Sequence, residues 1–187
     1  MTIEKGGNWG EMVPTREGGI AVKGDLAHEL GVVDHETVRN GSWLRLPLDL
    51  IEVNAVDARG RCHERSITSW LAAGSRLRGD YLIVSSTSFV KGRRIFSRSH
   101  PNDGRLEWLF IQPGMTMRQR LSFHRRTRSE THLPHPFVTV GSGPRVSRSF
   151  ARPVTVRFES GDSIRGVVEL SAAIHADATF THIPVVP

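Results

Sequence analysis

The sequence predicts a mostly β fold, a two-sheet β-sandwich with one or two short helices, on three observations. After Gly41 the periodic segments are short and rich in Val, Ile, Phe and Thr. Clusters of Gly, Pro, Asn or Ser separate them at intervals that suit a sandwich or barrel. The segments also alternate. In "VTVRF", Val154, Val156 and Phe158 share one face while Thr155 and Arg157 share the other, as in a sheet wetted on one side.

The elements follow in chain order. In "GDLAHELG", Asp25 is placed to cap a short helix, Leu26 and Leu30 lie four apart on one face, and Gly31 supplies a stop. Strands are expected at Leu48–Val56, Tyr81–Ser86 and Leu106–Gln112. A second helix, Met115 to about Thr127, follows the Pro113-Gly114 break and sets Met117 and Leu121 four apart. It carries Arg118, Arg120, Arg125, Arg126 and Arg128, which read as a solvated face. Such a face can approach anionic lipid, where each cation contributes roughly 1 kcal/mol. Strands then return at Val138–Gly141, Val154–Phe158, Val167–Leu170 and Thr179–Val185. The looser composition of residues 1–40 marks an N-terminal appendage, leaving residues 41–187 as the sandwich domain.

A chain of 187 residues supports one main core. The single cysteine, Cys62, excludes an intrachain disulfide and a multi-cysteine zinc site. No signal-peptide h-region opens the sequence, and no run approaches the ~18 apolar residues of a membrane-spanning helix. A soluble, cytoplasmic protein is expected, with peripheral attachment at the inner membrane face as the variant that its charge allows. The formal charge is +6 and almost wholly arginine, the only lysines being Lys5, Lys23 and Lys91. This excess has two alternative explanations, an anionic partner or a GC-rich coding bias.

Chemistry-bearing patterns are few. Asn102-Asp103-Gly104 has the composition of a turn whose side chains cap their own backbone. In "HLPHP", Pro134 disfavours the helix that a His132/His135 metal pair needs, and no glutamate accompanies them, so hydrogen-bonded imidazoles in a rigid turn are expected. Asp49, Glu52 and Asp57 read as ordinary strand and turn charges. Trp9, Trp43, Trp70, Trp108 and Tyr81 lie mostly in apolar runs, which leaves few aromatics to stack single-stranded nucleic acid.

Three strips, from about Leu48 to the end, resemble the C-terminal domain of the diacylglycerol-kinase-like family of bacterial lipid kinases. "DYLIVSSTSFVKGRRIFSRSHPNDGRLEWLFIQP" is similar to that family's strand, Asn-containing loop, glycine-rich turn and "DDGLLDV" segment. Here Ser86 stands at the Asn position, and Lys91-Gly92-Arg93 replaces what is commonly three glycines. "RRTRSETHLPHPFVTV" resembles a basic helix followed by "HLxHPxV". "RPVTVRFESGDSIRG" resembles "xPVxVxxDGE", with Ser160-Gly161-Asp162 on Asp-Gly-Glu. The resemblance implies that Asp162 is the base toward a lipid hydroxyl, with a shorter arm than glutamate. It also implies that Asp103, with the Arg105 carbonyl and waters, holds a structural Mg²⁺. Ser86, Lys91, Arg93 and Arg94 would then flank the substrate's anionic head group.

Family enzymes cradle ATP with a Gly-Gly-Asp-Gly-Thr loop, which these 187 residues lack. "GIAVKGDLAHELG" is similar to "GTGNDLARTLG" at the end of that nucleotide domain, with Val22 and Gly24 replacing the Thr and Asn. Phosphoryl transfer depends on positioning and charge neutralisation of the triphosphate, so the chain is expected to be inactive alone. A separate nucleotide-binding subunit would then bring the ATP. The competing expectation is a noncatalytic basic module for anionic lipid or single-stranded nucleic acid. Whether the chain forms a homo-oligomer stays open at this level.

Overall fold

The computed structural model describes residues 19–20, 25–30, 43–97 and 99–184. In chain order the elements are β1 (Gly19–Ile20), α1 (Asp25–Glu29), β2 (Trp43–Asp57), β3 (Cys62–Ile67), β4 (Trp70–Gly74), β5 (Tyr81–Ser85), β6 (Phe89–Val90), β7 (Arg93–Arg94), β8 (Leu106–Ile111), α2 (Met117–Arg126), β9 (Val138–Gly143), β10 (Arg145–Phe158) and β11 (Ser163–Pro184). The chain is mostly β, as expected. Most of the appendage at 1–40 lies outside the described residues, as do Lys5, Trp9, Val22, Lys23, Gly24, Gly31 and Val185.

Three strands run longer than expected because turn signals in the sequence become bulges. Gly166, at φ +77, is the extra residue where Val167 and Arg165 oppose the consecutive Val154 and Thr155. Pro153, which cannot donate to a ladder, falls in the gap between the Ser149–Glu169 and Val154–Val167 pairs. Between His175–Leu50 and Thr179–Leu48, three residues of β11 face only Asp49. Val167–Leu170 and Thr179–Pro184 are thus parts of one strand.

Nine strands form one sheet in the order β3-β2-β11-β10-β4-β5-β8-β9, with β1 parallel beside β11; β6 and β7 make a separate hairpin. The large sheet is bent over its own inner face. Although β4 and β5 lie between β10 and β8, the Arg148 guanidinium stacks 3.7 Å above the Phe110 ring. Asp49 fastens this closure. Its N–H donates to Pro101 O (2.9 Å), and its carboxylate accepts the N–H of Gly104 (2.7 Å) and of Asp177 (3.0 Å). Far from an ordinary strand charge, Asp49 is fully buried. Ile51, Val53, Leu71, Leu82, Leu106, Val156, Phe158 and Val167 fill the space inside.

The outer face of β4, β5 and β8 carries a second core, Trp70, Ile83, Leu109 and Ile111, roofed by Val90, Phe96, Met115 and Phe123. Helix α2 begins at a capping box in which Thr116 and Gln119 exchange side-chain and backbone bonds. Arg120, expected on a solvated face, is instead fully buried. Its Nε donates to Met115 O (3.0 Å), Nη1 to Ser75 O (3.3 Å), and Nη2 to Gln112 O (2.8 Å) and Gly79 O. His132 Nε2 meets Ile95 O at 3.1 Å and His135 Nδ1 accepts Phe137 N–H at 3.2 Å, both rings flanking Phe123.

Two outcomes test this packing. Arg120→Leu strands carbonyls in the interior and should lower stability by roughly 3 kcal/mol, read from the urea midpoint at unchanged slope. Gly141→Ala would set a Cβ 2.3 Å from Trp108 Cζ2 and should cost about 1–3 kcal/mol by the same measurement.

Candidate functional site

At one end of β4 and β5 the chain gathers hydroxyls. Thr68, Ser69, Ser85, Ser86, Thr87 and Ser88 are all buried. Ser86 Oγ donates to Thr68 O (2.9 Å), and Ser85 Oγ to Thr87 O (2.8 Å). Ser86, expected against substrate, ties the end of β5 to the turn between β3 and β4.

Helix α1 lies over this shell through two carboxylates. Asp25, expected as a helix cap, accepts Trp70 Nε1–H (2.9 Å) and the N–H groups of Lys91 and Gly92 (2.6 Å each). Lys91 and Gly92 both have positive φ, 55° and 68°, so successive N–H groups turn toward one anion. Glu29 accepts Ser88 N–H (3.1 Å) and Oγ–H (2.9 Å). Leu26 packs on Leu48 beneath.

A group of cations runs from the shell toward the β4–β5 turn at the other end of the hairpin. Lys91 Nζ lies 5.3 Å from the Trp70 ring centroid, and Arg157 Nη1 donates to Gly74 O (3.1 Å). Desolvation, then the charges of Arg157 and Arg76, lower the Lys91 pKa. Nearby, burial and the positive charges of Arg76, Arg93 and Arg120 hold His124 down to about 4 despite its contact with Arg76 O, so its ring is neutral. Lys91, Arg76 and Arg157 form no ion pair among the described residues. Arg93 and Arg94 diverge, as neighbours on a strand do. Arg93 Nη1 donates to His124 O (2.9 Å), whereas Arg94 meets Glu130 at 3.7 Å beside a separate cavity of about 450 Å³.

Two carboxyls occur at the β10–β11 turn. Asp162 is exposed, its Oδ2 accepting Ser160 Oγ–H at 3.2 Å. Glu159 is buried; Oε1 accepts Thr68 N–H (3.2 Å), while Oε2 and Thr68 Oγ1 have no partner. Burial drives its pKa up to about 7 against the backbone bonds that lower it. Sequence reasoning passed over Glu159, Arg76 and Arg157; the alternation of "VTVRF" put Arg157 on the correct face without showing its neighbours.

Asp103 stands apart from these groups. It is exposed, Oδ1 accepts Arg105 N–H at 3.0 Å, and Gly104 follows at φ +67. This is an Asx turn, and among the described residues no three His, Cys, Asp or Glu side chains converge on a metal position. Asp103 and the Arg105 carbonyl suit Mg²⁺ only as a largely hydrated ion.

No protein-family model and no curated protein matches the chain. Solved structures do. A candidate diacylglycerol kinase from Bacillus anthracis str. Sterne shares the fold at a TM-score of 0.54 and 9% identity, over 88% of this chain and 66% of that one. A crystal structure under the same description gives 0.52 and 9% over 91% and 68%. The chain thus spans about two thirds of the length of those proteins, and at this identity the likeness is one of fold: the mostly β architecture is diacylglycerol-kinase-like.

Proposed function

We propose that this chain is the C-terminal, lipid-substrate lobe of a diacylglycerol-kinase-like phosphotransferase, working with a nucleotide-binding unit that lies outside these 187 residues. One observation carries the reading beyond fold. A hydroxyl-rich shell and two carboxyls at a single turn stand where β4 begins and β5 and β10 end, and the cations Lys91, Arg157 and Arg76 extend from there toward the β4–β5 turn. Transfer of a phosphoryl group needs an acceptor hydroxyl held near a base and neutralisation of anionic charge.

In this reading Asp162, the carboxyl open to solvent, takes the proton of the acceptor hydroxyl. Lys91, with Arg76 and Arg157, holds the anionic head group; Arg93 anchors the loop to α2, and Arg94 serves elsewhere. Glu159, sealed beneath the turn, sets the position of Thr68 and so of Ser86. Asp103 and the Arg105 carbonyl would hold a hydrated Mg²⁺, whose chemistry when bound is to neutralise local negative charge. ATP would be bound by the nucleotide unit. The unpaired cations also support a second reading, a noncatalytic module for anionic lipid.

Two experiments follow. The chain incubated with labelled ATP, Mg²⁺ and diacylglycerol should give no phosphatidic acid. Addition of the nucleotide lobe of a diacylglycerol kinase in trans should give product that Asp162→Asn abolishes. Turnover by the chain alone, or product indifferent to Asp162→Asn, overturns the assignment, and absence of product in trans favours the noncatalytic module.

Glu159 supplies a pH test. Its carboxyl binds a proton more tightly in the folded chain than an ordinary glutamate, whose pKa is 4.5, so stability should fall as pH rises from about 4.5 to about 7 and level off above. The change is up to roughly 3 kcal/mol, at about 1.4 kcal/mol per unit. Glu159→Gln should flatten that window in urea titrations across pH.

A further inference from the structure

Helix α2 exposes apolar side chains that the core does not use. Met117 is 62% and Leu121 47% exposed, and they are among the few exposed large hydrophobic residues described. At 100° per residue, Met117, Leu121, Arg125 and Arg118 occupy a single face about 100° wide. Arg118 and Arg125 are exposed and join no ion pair among the described residues.

The β4–β5 turn extends this face. Arg120 Nη1 and Nη2 bind Ser75 O and Gly79 O, and His124 Nε2 meets Arg76 O at 3.4 Å. Arg120 and His124 flank Met117 on the helix circumference, so the turn lies along the apolar side of the exposed face. At its tip Leu77 is 42% exposed, followed by exposed Arg78, which joins no ion pair among the described residues.

We propose that this face is the surface by which the protein rests on an anionic bilayer. Met117, Leu121 and Leu77 enter the interface, and Arg78, Arg118 and Arg125 meet the lipid phosphates. Interleaved arginines and aliphatic side chains are the composition of an interfacial helix. A protein partner is disfavoured, since it would have to desolvate Arg78, Arg118 and Arg125 around the apolar side chains, whereas a bilayer keeps them in its hydrated head-group layer. Single-stranded nucleic acid is disfavoured because, among the described residues, none of the exposed large hydrophobics is aromatic, and sequence-tolerant strand binding relies on stacking. The inference deepens the lipid reading by naming the surface where lipid is met, and it needs no phosphoryl transfer.

The test uses vesicles of equal parts phosphatidylcholine and phosphatidylserine, free of diacylglycerol, in a co-sedimentation assay. The full chain should bind them, ignore pure phosphatidylcholine, and be released by salt, which cuts the reach of the exposed charges to about 3 Å at 1 M. Met117→Ser/Leu121→Ser and Arg118→Gln/Arg125→Gln should each lower partitioning at least about tenfold. Arg145→Gln/Arg152→Gln removes the same charge from exposed positions on β10 and should change it less than about twofold. Tryptophan emission of Met117→Trp should shift to the blue on the anionic vesicles. The proposal is overturned if the chain ignores anionic vesicles, if the β10 pair costs as much as the helix pair, if the emission stays put while binding persists, or if single-stranded DNA binds more tightly at matched salt. Failure of the in trans kinase assay bears on the catalytic reading alone.

Discussion

The outer half of this molecule depends on a guanidinium that has left water. Arg120 is completely buried, and its donors are divided between the lead-in to α2, at Gln112 and Met115, and the β4–β5 turn, at Ser75 and Gly79. A ten-residue helix with a narrow apolar stripe has little stability of its own. Phe123 is its one fully buried apolar side chain, so the position of α2 is fixed as much by these bonds as by packing. Burying a charge is costly, and the arrangement offsets that cost with convergent carbonyl dipoles and the field of Asp80. Because Arg120 turns inward, Met117 and Leu121 are left on the outside.

Carboxylates play the matching part where the backbone departs from regular geometry. Asp49 accepts the N–H groups of Gly104 and Asp177, and Asp25 those of Lys91 and Gly92. All four of those donors belong to residues with positive φ, where the chain cannot satisfy its N–H within a ladder. Burial pushes the Asp49 pKa up, the two N–H bonds oppose it, and Asp103 and Asp177 raise it further. Glu159 differs, since one of its oxygens is left without a partner. A carboxyl in that position holds its proton, and the strain of ionising it is what couples the β10–β11 turn to pH.

Much of the fold could be read from the sequence because sheet patterning is local. The alternation of Val154, Val156 and Phe158 gave the correct inner face, and "LEWLFI" gave β8. Strand lengths were harder, because Pro153, Gly166 and Asp177 signal turns and the structure uses them as bulges inside continuous strands. β3 was missed for another reason: "CHERSI" is polar, and only its pairing with β2 makes it a strand. The site was less legible still. Arg120 and Glu159 look like surface charges in sequence, and their burial comes from elements far away along the chain. Asp103 could be read, since an Asx turn needs only its own neighbours.

The placement of the surplus charge narrows the uses to which this fold can be put. Arg61 is neutralised by Asp57 and Arg94 faces Glu130, whereas Arg76, Lys91, Arg157, Arg118 and Arg125 join no ion pair among the described residues. Burial first, and then the charges of Arg157 and Arg76, lower the Lys91 pKa; the second cause is a crowding of cations that an anion would relieve. The β4–β5 turn joins both regions: Arg76 adds to the cations around Lys91 while Leu77 and Arg78 extend the exposed face of α2. A lipid phosphate held at the first region would therefore lie close to a bilayer met by the second. The two remain separable, because Lys91 and Arg157 are carried by the hairpin turn and β10, and Met117 and Leu121 by a helix that can be altered without touching either.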